Sequence, residues 1–182
     1  MKKFTLFTVA LMTSTVLMAK GNTHSIGATA GSMYCASYKG FIFGHEKLAL
    51  VADLGVGLTA SPITCRGNLD KNPTSFWMFE ANPNVVYQAE INNGFSWFAG
   101  GGVSLGLMDA FAYDSKSFKN YEAYIFGKFG FNTIGGAEYK FAKLPLAISL
   151  DFRPGYGLGF RSKEAAISFF DWKLVATVRY RF

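Results

Sequence analysis

The chain reads in steps of two. Near its end one register holds Phe170, Trp172, Leu174, Ala176, Val178, Tyr180 and Phe182, all apolar, while the intervening positions include Asp171, Lys173, Thr177, Arg179 and Arg181. Upstream, Leu144, Leu146, Ile148, Leu150, Phe152, Tyr156 and Leu158 alternate with Ser149, Asp151, Arg153 and glycines. The same division sets Ile125, Phe129, Phe131, Tyr139 and Phe141 against Lys128, Asn132, Glu138 and Lys140. It sets Trp77, Phe79, Val85, Tyr87 and Ile91 against Glu80, Asn82, Asn84, Gln88 and Glu90. Phe95, Trp97, Val103, Leu105 and Leu107 oppose Ser96, Gly100, Gly102, Ser104 and Gly106, and Leu48, Leu50, Leu54 and Val56 oppose Asp53, Gly55 and Gly57. Alternation of this kind is the signature of strands, and no helical period competes with it past residue 19.

The two faces decide the architecture. In a soluble sandwich the large residues point into a shared core and the outer face is wetted by water. Here the apolar face is long and continuous in every strand, and the other face mixes small residues with charges of both signs. That pattern suits a barrel whose large groups face lipid and whose small and charged groups fill the lumen. A sheet in lipid must close, because no water is there to satisfy a free edge.

The predicted strands are 24–31, 33–43, 48–59, 76–91, 95–108, 123–141, 145–158 and 169–182. Residues 24–43 read either as one long strand or as a hairpin turning at Gly31-Ser32. The even strand count of single-chain bacterial barrels selects the hairpin, and hence an all-β, eight-stranded antiparallel up-and-down transmembrane β-barrel. Connections at 44–47, 92–94 and 142–144 are tight, while 60–75, 109–122 and 159–168 are long and polar. Short turns face the periplasm and long loops face outward in such barrels. Trp77, Tyr156 and Trp172 then fall near one membrane interface, and Tyr87, Trp97, Tyr139, Tyr180 and Phe182 near the other.

The inward charges balance. Lys39, Lys128, Lys140, Arg153, Lys173, Arg179 and Arg181 stand against Asp53, Glu80, Glu90, Glu138, Asp151 and Asp171, seven basic against six acidic. Buried charges persist only when paired, so a salt-bridged interior is expected rather than a pore lined by one sign. The lumen of a small barrel is just wide enough for side chains to fill.

Composition sharpens the picture. Half of the residues are hydrophobic, with 19 Phe, 9 Tyr, 3 Trp and 20 Gly. Met1-Lys2-Lys3 followed by the uncharged run Phe4–Ala19 has the form of a secretory signal peptide, so residues 1–19 are expected to be removed and residues 20–182 to form the barrel. The run is slightly short for a spanning helix. The mature chain carries 16 basic and 12 acidic residues, an excess too mild to argue for nucleic acid.

The ending "LVATVRYRF" resembles the terminal strand of outer-membrane β-barrel proteins. In that family the terminal Phe and the alternating apolar positions before it, here Phe182, Tyr180, Val178 and Ala176, are read by the insertion machinery. The stretches "SYKGFIFGHEKLAL" and "GGAEYKFAKLPLAISLDFRPGYG" are similar to small OmpX/OmpW-like barrels of Gram-negative bacteria. The resemblance implies an outer-membrane location, contact with outer-membrane lipid and lipopolysaccharide, and no fixed activity, since such folds serve varied roles.

Little in the chain points to catalysis. Barrels of this kind that are enzymes resemble one another in placing a His near the outer rim, and His24 and His45 are both predicted at the periplasmic end. Asp151/Asp171 and Glu80/Glu90 are carboxylate pairs that acid–base chemistry could use, but among seven basic residues they read as ion pairs. Two Cys and two His match no metal site, and "GGGVSLG" lacks the Lys and helix of a phosphate loop, so no cofactor is expected. Cys35 is predicted near the outer end of the second strand and Cys65 in the loop leaving the third, so either a disulfide ties the first long loop to the rim or both remain unpaired thiols, one facing the lumen. Two roles remain open. One is a filled barrel serving envelope integrity or contacting a surface ligand through loops 60–75, 109–122 and 159–168, which carry Arg66, Lys71, Lys116, Lys119, Arg161 and Lys163. The other is a narrow transporter for small or hydrophobic solutes, with Phe98, Phe126 and Ile134 lining a pocket.

Overall fold

The computed structural model describes residues 24–42, 47–57, 63–67, 73–112, 122–161 and 165–182. These form β1 (His24–Gly31), β2 (Met33–Phe41), β3 (Leu48–Gly57), β4 (Ile63–Gly67), β5 (Pro73–Asn92), β6 (Phe95–Ala112), β7 (Glu122–Lys140), β8 (Leu146–Arg161) and β9 (Ala165–Arg181). Eight of them run antiparallel in the order β1-β2-β3-β5-β6-β7-β8-β9, and β9 pairs back onto β1 from Ser25↔Arg181 to Gly31↔Val175. The ring is closed, as the alternation requires, and no spanning strand is left with a free edge along the shared height. The expected signal peptide, the turn holding His45 and much of the long loops lie outside the described residues.

Turn chemistry fixes the register. Gly31, at φ 137°, starts the β1–β2 hairpin, so the two-strand reading of 24–43 holds. Asn93 and Gly94 both have positive φ, 43° and 85°. That is the two-residue hairpin turn whose twist matches that of antiparallel strands, and Asn-Gly is its preferred sequence. At the β1–β9 seam the His24 carbonyl accepts from the Phe182 amide at 2.9 Å, and the His24 ring stacks on Tyr38 and Phe182.

The alternation sorts as expected. In β9, Phe170, Trp172, Leu174, Val178 and Tyr180 face outward, while Asp171, Lys173, Val175, Thr177 and Arg179 are buried inside. Leu54, Phe79, Leu107, Phe131, Leu150 and Phe152 continue the outward apolar surface around the ring.

Two features differ from the expectation. The barrel is taller on one side: β1–β3 have 8, 9 and 10 residues, whereas β5–β9 have 16 to 20. A crossing strand needs roughly 9–11 residues. The backbone ladder of β5–β9 therefore continues past the lipid band, to Ala112 and Arg161 among others, because pairing is a main-chain property and does not need alternating side chains. Within the loop expected at 60–75, the short β4 pairs with the outer end of β9, from Ile63↔Phe169 to Gly67↔Ala165. It takes the place beside β9 that β1 leaves when it ends at Gly31.

Candidate functional site: the charged lumen

Ten of the thirteen expected lumen charges are buried inside: Lys39, Asp53, Glu80, Lys128, Glu138, Asp151, Arg153, Asp171, Lys173 and Arg179. Five are basic and five acidic. They project from β2, β3, β5, β7, β8 and β9, and fall into three groups.

In the lowest group Glu138 accepts from Lys39 at 2.7 Å and from Gln88 Nε2 at 2.9 Å, with Arg179 at 3.6 Å. Arg179 also donates to Ser37 and Ser149, so its guanidinium spans the lumen from β9 to β2 and β8. The middle group is Arg153, which donates to Asp53 at 2.5 Å and to Asp151 on its own strand. The upper group is a four-membered arrangement of alternating sign. Lys128 lies 2.5 Å from Glu80 and 3.3 Å from Asp171, and Lys173 lies 2.7 Å from Glu80 and 2.6 Å from Asp171.

Glycines make these contacts reachable. Gly106 of β6 pairs with Glu80 on one side and Lys128 on the other, and the ion pair closes over it. Gly102 sits in the same way between Asn84 and Asn132, whose side chains hydrogen-bond over it at 2.7 Å. A Cβ on Gly106 would come within 2.9 Å of Glu80 Cα. The inward register of β6 thus carries room for its neighbours. The sequence held that signal in the spacing of Gly100, Gly102 and Gly106, but the partners on β5 and β7 depend on a register that only the folded sheet supplies.

Three expected lumen charges sit elsewhere. Glu90 keeps the inward register opposite buried Ser96 but lies exposed at the barrel mouth, where it accepts from the Gly94 amide at 3.1 Å, securing the turn. Lys140 is half-buried with its Nζ over the Phe41 ring. Arg181 is also half-buried and donates to the carbonyls of Phe141 and Leu144. Both mark the mouth of the barrel beside the short turns.

The apolar residues considered for a pocket are packed. Phe98 and Ile134 join Ala49, Val51 and Val86 in a buried cluster, with Phe41 against it, and Phe126 is fully buried. His24 Nδ1 lies 2.7 Å from the Tyr38 hydroxyl, far from the outer rim. Among the described residues no group of three His, Cys, Asp or Glu is placed to hold a metal ion.

Of the two states left open for Cys35 and Cys65, the bridge is not formed: Cys35 is a buried free thiol. Register explains why. Cys35 pairs with Thr29, which pairs with Thr177, whereas Cys65 pairs with Ile167. Ten residues along β9 correspond to about 33 Å. A disulfide needs Cα atoms within about 7 Å.

The interior and exterior together define a class: an inside-out, eight-stranded barrel with a salt-bridged lumen. Among solved structures the chain is similar to a major outer membrane protein from Thermus thermophilus, at 13% identity and a TM-score of 0.50, over 87% of this chain and 98% of that one. It is also similar to Ail, the attachment invasion locus protein of Yersinia pestis, at 11% identity over 86% and 93% of the two chains, with a TM-score of 0.37. The first likeness establishes a shared barrel fold; the second is too loose to add to it. No protein-family model matches the chain, and no curated protein matches it.

Proposed function

We propose that this protein is an integral outer-membrane barrel with a closed, side-chain-filled lumen, non-enzymatic, serving envelope integrity or surface contact. One observation carries the reading: five basic and five acidic residues pair across the lumen from six strands, each at most 6% exposed. Moving an ion along the axis would require breaking several buried pairs, each costly to open. The continuous apolar exterior supports a lipid surround.

Contact with other molecules then falls to the outer ends of β5–β9 and the loops they carry, toward lipopolysaccharide or a surface ligand. Signal-peptide export and reading of Ala176, Val178, Tyr180 and Phe182 by the insertion machinery complete the proposal, on the terminal pattern alone. The test is conductance of the purified, refolded protein in planar bilayers. Silence across the usual voltage range is the expected result. Reproducible unitary steps would defeat the filled-lumen reading and favour a narrow transporter.

A further inference from the structure

At Gly106 and Gly102 the flanking side chains meet over the glycine. At Gly155 of β8 they do not. Gly155 pairs with Asn132 on β7 and with Asp171 on β9. Both neighbours present an oxygen that has no hydrogen-bond partner among the described residues, Asn132 Oδ1 and Asp171 Oδ1. Two acceptors cannot bond each other; they need a donor between them. Next inward on β8 is Arg153, whose Nη2 is also without a partner among the described residues. Arg153 and Asp171 are both 3% exposed.

These three residues line one interior gap of about 10 Å³, together with Ser104, Gly155 and Lys173. That volume is the least that admits one water molecule, and a buried water is stable when two to four polar partners surround it. We propose that a single water molecule binds here, accepting from Arg153 Nη2 and donating to Asn132 Oδ1 and Asp171 Oδ1, with the Ser104 hydroxyl beside it.

The donor set selects water over an ion. A cation would meet Arg153 and Lys173, and an anion would meet Asp171 and the Asn132 oxygen. Only a neutral molecule that both donates and accepts answers one donor and two acceptors at once. Arg153 belongs to the middle ion-pair group and Asp171 to the upper one. The water therefore bridges the middle and upper groups and makes the lumen charge array continuous across that level. The site depends on interior geometry and not on the barrel's biological role.

The test is nuclear Overhauser spectroscopy on the refolded barrel in detergent micelles, read at the Asn132 side-chain amide. A bound water gives laboratory-frame and rotating-frame cross-peaks to water of opposite sign. Proton exchange gives peaks of the same sign. Opposite signs are expected; same-sign or absent peaks overturn the proposal. In Gly155→Ala, whose new methyl would sit 3.2 Å from Asn132 Cβ, the peaks should vanish. Their persistence would mean that the water is not in this gap. If that variant does not refold, Ser104→Val serves in its place, with the same loss expected and the same meaning if the peaks remain.

Discussion

Glu80 is fully buried between Lys128 and Lys173, and Asp171 alone cannot balance both. Removing one member of a buried ionic group leaves the remaining charge unpaired, which costs about 3–5 kcal/mol, whereas replacing a whole pair with apolar groups of similar size is often near neutral. Glu80→Ala should therefore lower unfolding stability by about that amount, measured by tryptophan fluorescence in urea with the barrel in lipid vesicles. Glu80→Leu combined with Lys128→Met leaves Lys173 with Asp171 and should recover most of the loss. A single variant within about 1 kcal/mol of wild type would show that the group contributes little. Sequence reasoning could place these four charges on the inward face, since each falls in the polar register. It could not say which cation meets which anion, because that follows from the stagger between strands far apart in the chain.

The elements differ in how much their local sequence determines them. β9 and the Asn93-Gly94 hairpin are written in local residues: strict alternation in one, paired positive φ in the other. A Gly94→Ala exchange forces an L side chain into the left-handed region and against Lys140, so a loss of about 1–3 kcal/mol is expected in the same urea assay. The short β4 has no such signature. Its five residues are ordered by pairing with β9, and no alternation marks a strand that lies beyond the lipid band. Because β4 sits at the outer end of β9, it keeps Cys65 away from Cys35. Titration of the denatured, unreduced monomer should find two free thiols; finding none would require a different register for β4. Glu90 shows the same limit from the other side. It holds the inward register opposite Ser96, but at the strand end the mouth is open and the Gly94 amide is its partner, a consequence of height in the barrel that alternation does not encode.

At the scale of the whole molecule, the outward surface sets the cost of change by depth. Leu150 lies within the apolar band on β8, and Leu144 lies in the turn between β7 and β8; both are exposed to the surroundings. An arginine near the bilayer midplane of a barrel costs about 2–4 kcal/mol and one near the interface about 0–1. Leu150→Arg should thus destabilise the barrel in vesicles by a few kcal/mol and Leu144→Arg by little, while in a water-soluble sheet neither would depend on depth. Finally, the seam between β1 and β9 joins Thr29 to Thr177 across 148 positions of chain, hydroxyl to hydroxyl. β9 follows every other strand of the ring in chain order, so until it joins, the polypeptide can be at best a curved strip with two raw margins. Contacts of such long separation form slowly, and a chain halted before its final strand would be left able to zip onto any other exposed strand, its own kind included.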